Sequence, residues 1–145
     1  MTITLLTREN IHLVNLDKYY DLLRHLSDTI TVNDKHLLER LVSCPHIFVF
    51  LFGPLDNPQG NITCILEPKI IHDGKCVAHI EDVVVHPELR GQKIASQLVR
   101  HVQQFAEERN CYKILLHCHP SLVPFYEIFG FSQHELHGMR YDIVK

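Results

Sequence analysis

An α/β fold with a mixed, mostly antiparallel central sheet and helices on its faces is predicted by three features of this sequence. β-branched and aromatic runs of strand length recur along the chain, a long amphipathic helical pattern lies directly between two of them, and Gly, Pro and Asn mark the joins. The resulting order, a strand pair followed by strand, helix, strand, helix, strand, places parallel and antiparallel neighbours in one sheet.

Residues 2–6 are β-branched and aliphatic and suit a short first strand, with turn-prone Thr7 and Asn10 after it. Leu16, Tyr19, Tyr20, Leu23 and Leu26 recur at helical spacing, and a second short helix, capped by Asn33, carries Leu37, Leu38, Leu41 and Val42. Both apolar stripes need a sheet face to bury them. Residues 46–52 read as a buried strand. Two prolines with Asp56 and Asn57 make residues 53–60 a turn, and residues 61–67 return as the other arm of a hairpin. A turn at His72-Asp73-Gly74-Lys75 precedes a long strand over residues 76–86, which Pro87 ends. Residues 91–109 form the amphipathic helix: Ile94, Leu98, Val102, Phe105 and Ala106 share one face, and Arg100, Gln103, Gln104, Glu107 and Glu108 the other. Asn110 stops it, residues 112–118 are a further strand, and Pro124 and Gly130 bracket a short helix. Residues 131–136 and 139–144 are expected as closing strands. No repeat, biased tract or linker interrupts the chain, so residues 1–145 are expected to be one domain.

Composition narrows the function classes. The chain has 145 residues, 46% of them hydrophobic and 21% charged, which supports a packed core and argues against disorder. Lys and Arg total 14 against 17 Asp and Glu, so no overall positive field draws it to nucleic acid or anionic lipid, while a local basic pocket stays open. The longest apolar run, residues 47–52, is far shorter than a bilayer span, and residues 1–10 lack a signal-peptide core; a soluble cytoplasmic protein without membrane insertion is expected. Five cysteines with no CxxC pair fit reduced thiols. His117-Cys118-His119 invites a metal reading, but strand alternation sends Cys118 to the face opposite the two histidines, so no metal is expected.

The segment with chemical content starts at Ile80-Glu81-Asp82-Val83-Val84-Val85 and passes through His86-Pro87-Glu88-Leu89 into Arg90-Gly91-Gln92-Lys93-Ile94-Ala95-Ser96. A strand, a tight turn with Gly91, and a helix start with small Ala95 and Ser96 expose backbone N–H groups at the positive end of a helix dipole, with Arg90 and Lys93 adding charge. That suits a pyrophosphate; an ordinary strand-to-helix turn has the same local pattern.

Arg90-Gly91-x-x-Ile94-Ala95 after a Val-rich strand resembles the acetyl-CoA signature of the GNAT N-acetyltransferase superfamily, and Phe125-Tyr126-x-x-Phe129-Gly130-Phe131 resembles its second landmark. More narrowly, residues 79–85, Cys111-Tyr112-Lys113-Ile114 and Lys69-Ile70-Ile71-His72 are similar to the glucosamine 6-phosphate N-acetyltransferase family. The similarity covers most of residues 69–131; the first 60 residues match only in layout.

The resemblance implies a GNAT fold whose central strands splay apart to admit the pantetheine arm of acetyl-CoA. The backbone at Val83, Val84 and Val85 would pair with that arm, and Arg90, Gly91, Gln92, Lys93, Ile94, Ala95 and Ser96 would hold the pyrophosphate. It implies direct attack of the amine of glucosamine 6-phosphate on the thioester, a step towards UDP-N-acetylglucosamine. Glu81 and Asp82 are then at the acceptor, the Val83 N–H faces the oxyanion, and Tyr126 protonates the leaving thiolate. As strand neighbours, Glu81 and Asp82 are expected on opposite faces. Lys69, His72 and Lys113 carry over as the phosphate-binding set, with Ile70, Ile71 and Tyr112 beside them; Ser27 aligns loosely with a sugar-touching hydroxyl. Each also has a plain reading: Tyr126 as a core aromatic, Glu81 and Asp82 as strand-edge charges, and Lys69 and His72 as solvated turn residues.

Three positions depart from the family pattern. Lys93 stands where glycine is frequent, His117 where the narrower family has a carboxylate near the acceptor amine, and Leu122 where an Asn would bond the cofactor arm. His117 is expected to accept a proton in place of that carboxylate. Gly138-Met139-Arg140-Tyr141-Asp142 resembles the last strand of the family, implying a homodimer in which Arg140 reaches the neighbouring phosphate site; as a surface arginine it would have no such role. Two other functions stand beside this one: acetyl transfer to another small amine, and acetyl-CoA binding without turnover.

Overall fold

The computed structural model describes residues 2–143. Five strands, β1 (Ile3–Leu5), β2 (Ile47–Phe52), β3 (Gly60–Pro68), β4 (Cys76–Val85) and β5 (Cys111–Leu115), form one sheet in chain order. Neighbours from β1 to β4 are antiparallel and β5 lies parallel to β4, giving the predicted mixed, mostly antiparallel sheet. The parallel pair is the one joined through a helix, α3 (Ile94–Glu108), because a parallel return needs a crossover.

α3 covers one face, packing Ile94, Leu98 and Val102 over Phe50, Ile62, Cys64 and Ile80. Gly60 permits the close approach: a Cβ there would lie 3.1 Å from side-chain atoms of both Ile94 and Leu98. The other face is covered by α1 (Leu16–Arg24) and α2 (Lys35–Ser43), where Tyr19 and Leu38 meet Val49 and Leu51. β2 therefore buries side chains on both faces, which is why its sequence is an unbroken apolar run rather than an alternation. The short helix α4 (Val123–Glu127) has Pro124 in its first turn, and Gly130 follows at φ 89°.

Three expectations need correction. The cap of α2 is Asp34, whose carboxylate accepts from the His36 and Leu37 N–H groups; Asn33 instead donates to Asp17 at 2.7 Å. β5 ends at Leu115 rather than at 118 because its pairing with β4 ends there, so the strand alternation expected to part Cys118 from His117 and His119 does not hold and all three line one cleft. The closing strands over 131–136 and 139–144 do not form within the described residues: from Ser132 the chain runs irregularly, with Leu136, Met139 and Tyr141 exposed, and Val144 lies outside the described residues. Periodicity alone could not form them, since a strand also needs a partner edge and a face to bury.

A cleft between diverging strands as candidate active site

The last residues to pair across β4 and β5 are His79 and Leu115, yet β4 runs on to Val85. Beyond Leu115 the chain turns away through residues 116–119, opening a cleft of about 230 Å³ with Ile80 to Val83 on one wall and Leu116 to His119 on the other. Leu26, Leu122 and Tyr126 close it. An unpaired stretch of β4 thus lines the floor of the cleft, where an extended ligand can add main-chain hydrogen bonds.

The chain does not alternate simply here. Asn61 pairs with Val84 but Thr63 pairs with Glu81, so Asp82 and Val83 together oppose Ile62 in a β-bulge. Asp82 adopts φ 52°, a left-handed conformation that non-glycine residues seldom take. The extra residue switches parity: Ala78 and Ile80 before it and Val83 and Val85 after it all pack toward α3. The expectation that Glu81 and Asp82 occupy opposite strand faces is therefore corrected. Glu81 keeps the face of Thr63, whereas Asp82 is the bulged residue, and both line the cleft with exposed side chains.

Asn61 buttresses the bulge. Almost wholly buried, it donates from its Nδ2 to the Asp82 carbonyl at 2.8 Å and accepts from the Tyr19 hydroxyl at 3.0 Å. Burial, reinforced by Tyr20 and Asp82, raises the Tyr19 pKa well above that of a free phenol, so its hydroxyl stays protonated and donates. Sequence reasoning missed this pair, taking Tyr19 as helix packing and Asn61 as the start of a strand. The available signal was an amide side chain in an apolar ladder, which must find partners when buried.

A second hollow, of about 260 Å³, continues from Val85 past Leu89, Arg90, Gly91 and Lys93 to Ile94, Ala95 and Ser96. Gly91 has φ 83°, and a Cβ there would meet nothing within 4 Å, so backbone conformation rather than space favours glycine. Lys93 precedes α3 at φ 61°, accommodating in a left-handed turn the side chain that replaces the frequent glycine. No side chain caps the start of α3, which leaves its first-turn N–H groups for an anion. Gln92 lies in the same loop and is exposed.

Tyr126 reaches the cleft from α4, packed edge-on against Phe125 and Phe131. Burial first, then the neighbouring Cys118, pushes its pKa above the usual value, which keeps a proton on the phenol at neutral pH. His117 lines the opposite wall, its ring against Gly138. Leu122 is half exposed at the cleft and offers no hydrogen bond from its side chain.

The basic set is less unified. His72 stacks on Tyr112 with centroids 3.8 Å apart, and Lys113 Nζ lies 5.4 Å from the same ring. Lys69 instead pairs with Glu67 at 3.0 Å, and Glu67 also meets His79 at 3.0 Å. These bonds, His79 first and Lys69 second, hold the Glu67 carboxyl below the usual range. None of the three basic residues lines the cleft itself. Ile70 and Ile71 are exposed between them. Ser27 follows the cleft-lining Leu26 and shares a 2.7 Å hydrogen bond with the Thr29 hydroxyl. Arg140 lies in the irregular tail, paired with Asp142 at 2.6 Å. No cluster of three or more metal-ligating side chains occurs among the described residues, and no helix there is long and apolar enough to cross a membrane.

A model of the acetyltransferase (GNAT) family matches residues 16–131. A glucosamine 6-phosphate N-acetyltransferase of Trypanosoma brucei brucei is 36% identical over 95 residues, covering 66% of this chain and 64% of its own length. The enzyme of that name from Candida albicans is 41% identical over 67 residues, covering 46% of this chain and 45% of its own length. The matches thus span less than two thirds of these relatives. A crystal structure of a Trypanosoma brucei acetyltransferase superposes with a TM-score of 0.83 at 28% identity, covering 98% of this chain and 100% of that one.

Proposed function

Because the chain belongs to the GNAT acetyltransferase family, whose co-substrate is acetyl-CoA, we propose that it transfers acetyl to the amine of glucosamine 6-phosphate, giving N-acetylglucosamine 6-phosphate and CoA. The observation that carries this reading is the seam where β4 loses β5 at His79 and leads, through a bulge, to the uncapped start of α3. The names of the similar trypanosomal and fungal proteins support the acceptor.

In this reading Arg90 to Ser96 hold the pyrophosphate through first-turn amides and the Arg90 and Lys93 charges, and the Val83 to Val85 backbone binds the pantetheine arm. Bound acetyl-CoA supplies a thioester already activated for attack. Glu81, Asp82 and His117 surround the acceptor amine and take up the proton it must lose. The Val83 N–H faces the negative charge that grows on the carbonyl oxygen, and Tyr126 returns a proton to the departing sulfur. His72 and Lys113, grouped on Tyr112 beside the cleft, receive the sugar phosphate, with Lys69 joining them on leaving Glu67; Ile70, Ile71 and Ser27 flank the sugar.

A homodimer belongs to the same proposal. Met139 and Tyr141 are 98% and 90% exposed in the tail, and a hollow of about 410 Å³ between residues 114–118 and the tail is lined by Leu116, Phe131 and Leu136 together with His117, Gln133 and His137. A partner tail seated there would bring its Arg140 toward this site.

The deciding experiment is free-thiol production from acetyl-CoA with glucosamine 6-phosphate beside unphosphorylated glucosamine. Faster release with the phosphorylated sugar is expected. Equal rates overturn the sugar-phosphate assignment, and bound acetyl-CoA without release from any amine overturns turnover itself.

A further inference from the structure

We infer that Asn61, steadied by Tyr19, is a positioning residue for acetyl transfer: by holding the Asp82 carbonyl it aims the Val83 N–H into the cleft. The inference rests on the acetyltransferase reading above and adds to it two residues remote in sequence from the acetyl-CoA signature.

Peptide geometry sets the direction of that N–H. The Asp82 carbonyl and the Val83 N–H belong to the same peptide unit, and no peptide bond among the described residues is cis. In a planar trans unit the C=O and N–H point in opposite directions. A donor fixed on the Asp82 oxygen therefore fixes the Val83 N–H pointing away from that donor. Asn61 is such a donor, at 2.8 Å from the side of β3. Asp82 and Val83 line the cleft, so the direction away from Asn61 is toward the space where β5 has departed.

This peptide needs such a hold because it sits in a bulge. Asp82 is at φ 52°, and the regular β3–β4 ladder skips it. Left to itself, a bulged peptide can rotate and withdraw its N–H. Asn61 in turn has one orientation: Tyr19, protonated, donates to its Oδ1 at 3.0 Å, which leaves the Nδ2 end for Asp82. Tyr19 comes from α1, so the fixed point of the bulge is a helix packed on the far face of the sheet.

The test uses the full chain and the variants Asn61→Ala, Tyr19→Phe and the double variant. Removing a donor to a developing oxyanion costs about 10²- to 10³-fold in kcat, so loosening its peptide in Asn61→Ala should cost about 10- to 100-fold. The KM for acetyl-CoA should rise by much less than kcat falls, since the α3 hollow and the Val84 and Val85 backbone still hold the cofactor and only one main-chain donor is loosened. Tyr19→Phe keeps the ring and its packing and should lose less. Acting through Asn61, it should add nothing in the double variant. Losses that add, or an Asn61→Ala kcat like that of the parent, overturn the inference, as does a parallel rise in KM. Binding without an acceptor gives a readout apart from turnover: the Val83 amide resonance should move on adding acetyl-CoA to the parent and move clearly less in Asn61→Ala. Equal movement in both overturns the positioning role. Should the parent release no thiol with glucosamine 6-phosphate, the acceptor assignment falls, while the Val83 resonance still decides the role of Asn61.

Discussion

The two edges of β4 have opposite fates. Toward β3 it is paired from Cys76 to Val85, with one bulge, over residues as buried as Ile62 and Cys64. Toward β5 it is paired only as far as His79, and the remaining edge faces a cleft. The paired edge supplies rigidity and the unpaired edge supplies hydrogen-bonding groups held in place by it, which is how a small sheet offers main-chain donors to a ligand without losing its core. The bulge links the two, since the Asn61 bond comes from the paired side and acts on the peptide of the open side.

The sharpest way to break this contrast is at Tyr126, which belongs to the open edge. Tyr126→Phe keeps the packing on Phe125 and Phe131 and removes only the hydroxyl proposed as the acid. General acid catalysis contributes 10²- to 10⁴-fold, so kcat should fall by about 10²-fold, with the melting temperature nearly unchanged. Steady-state thiol release and a thermal scan check both halves. A large loss of stability with little loss of turnover would make Tyr126 part of the closed side, a core aromatic.

The same contrast separates what could be read from the sequence. The five strands, α3 and the turn before it were legible because burial enforces periodicity: Leu98, Val102 and Ala106 must meet the sheet, and Phe50 and Ile62 must meet α3. The splay between β4 and β5 was legible only through family resemblance, since nothing in the Leu115-Leu116-His117 run marks where pairing stops. The bulge was hidden for a physical reason. It depends on an Asn61 bond across 21 positions of chain, and its residue is an Asp rather than the Gly that usually signals left-handed backbone. The tail misled because alternation at residues 139–143 does not make a strand without an edge to pair with, and among the described residues none pairs with it.

An intermediate effect is expected at that tail. If a second copy covers the outer edge of β5, the particle in solution should have twice the mass of the chain, and Met139→Asp with Tyr141→Asp should shift it toward the monomer. Each buried large side chain contributes about 2 kcal/mol to such a contact and each copy would lose two, so the dimer should weaken by more than about 1,000-fold. Light scattering over a concentration series checks this. A parent that is monomeric throughout would leave β5 open on its outer side, with no route for Arg140 to a neighbouring site.

The smallest expected effect lies on the closed side. His101 on α3 packs edge-on against Phe50 at 4.7 Å, and burial, opposed by Glu108, holds its pKa below the usual 6.5. The unfolded chain therefore takes up this proton first as the pH falls, so the associated stability is full above 6.5 and is lost as the pH drops through the folded-state value. In His101→Leu, which keeps an apolar contact with Phe50, the melting temperature should fall less between pH 7.5 and 5.5, by about 1 to 2 °C for a partly exposed group. Glu67 provides the internal control. Its carboxyl is also lowered, by His79 and Lys69, but its contribution is lost only as the pH falls below the usual 4.5. A parent and variant that lose stability in parallel just below 6.5 would remove His101 from the acid response, whereas divergence there followed by parallel loss in the carboxyl range would assign the first step to the α3 face.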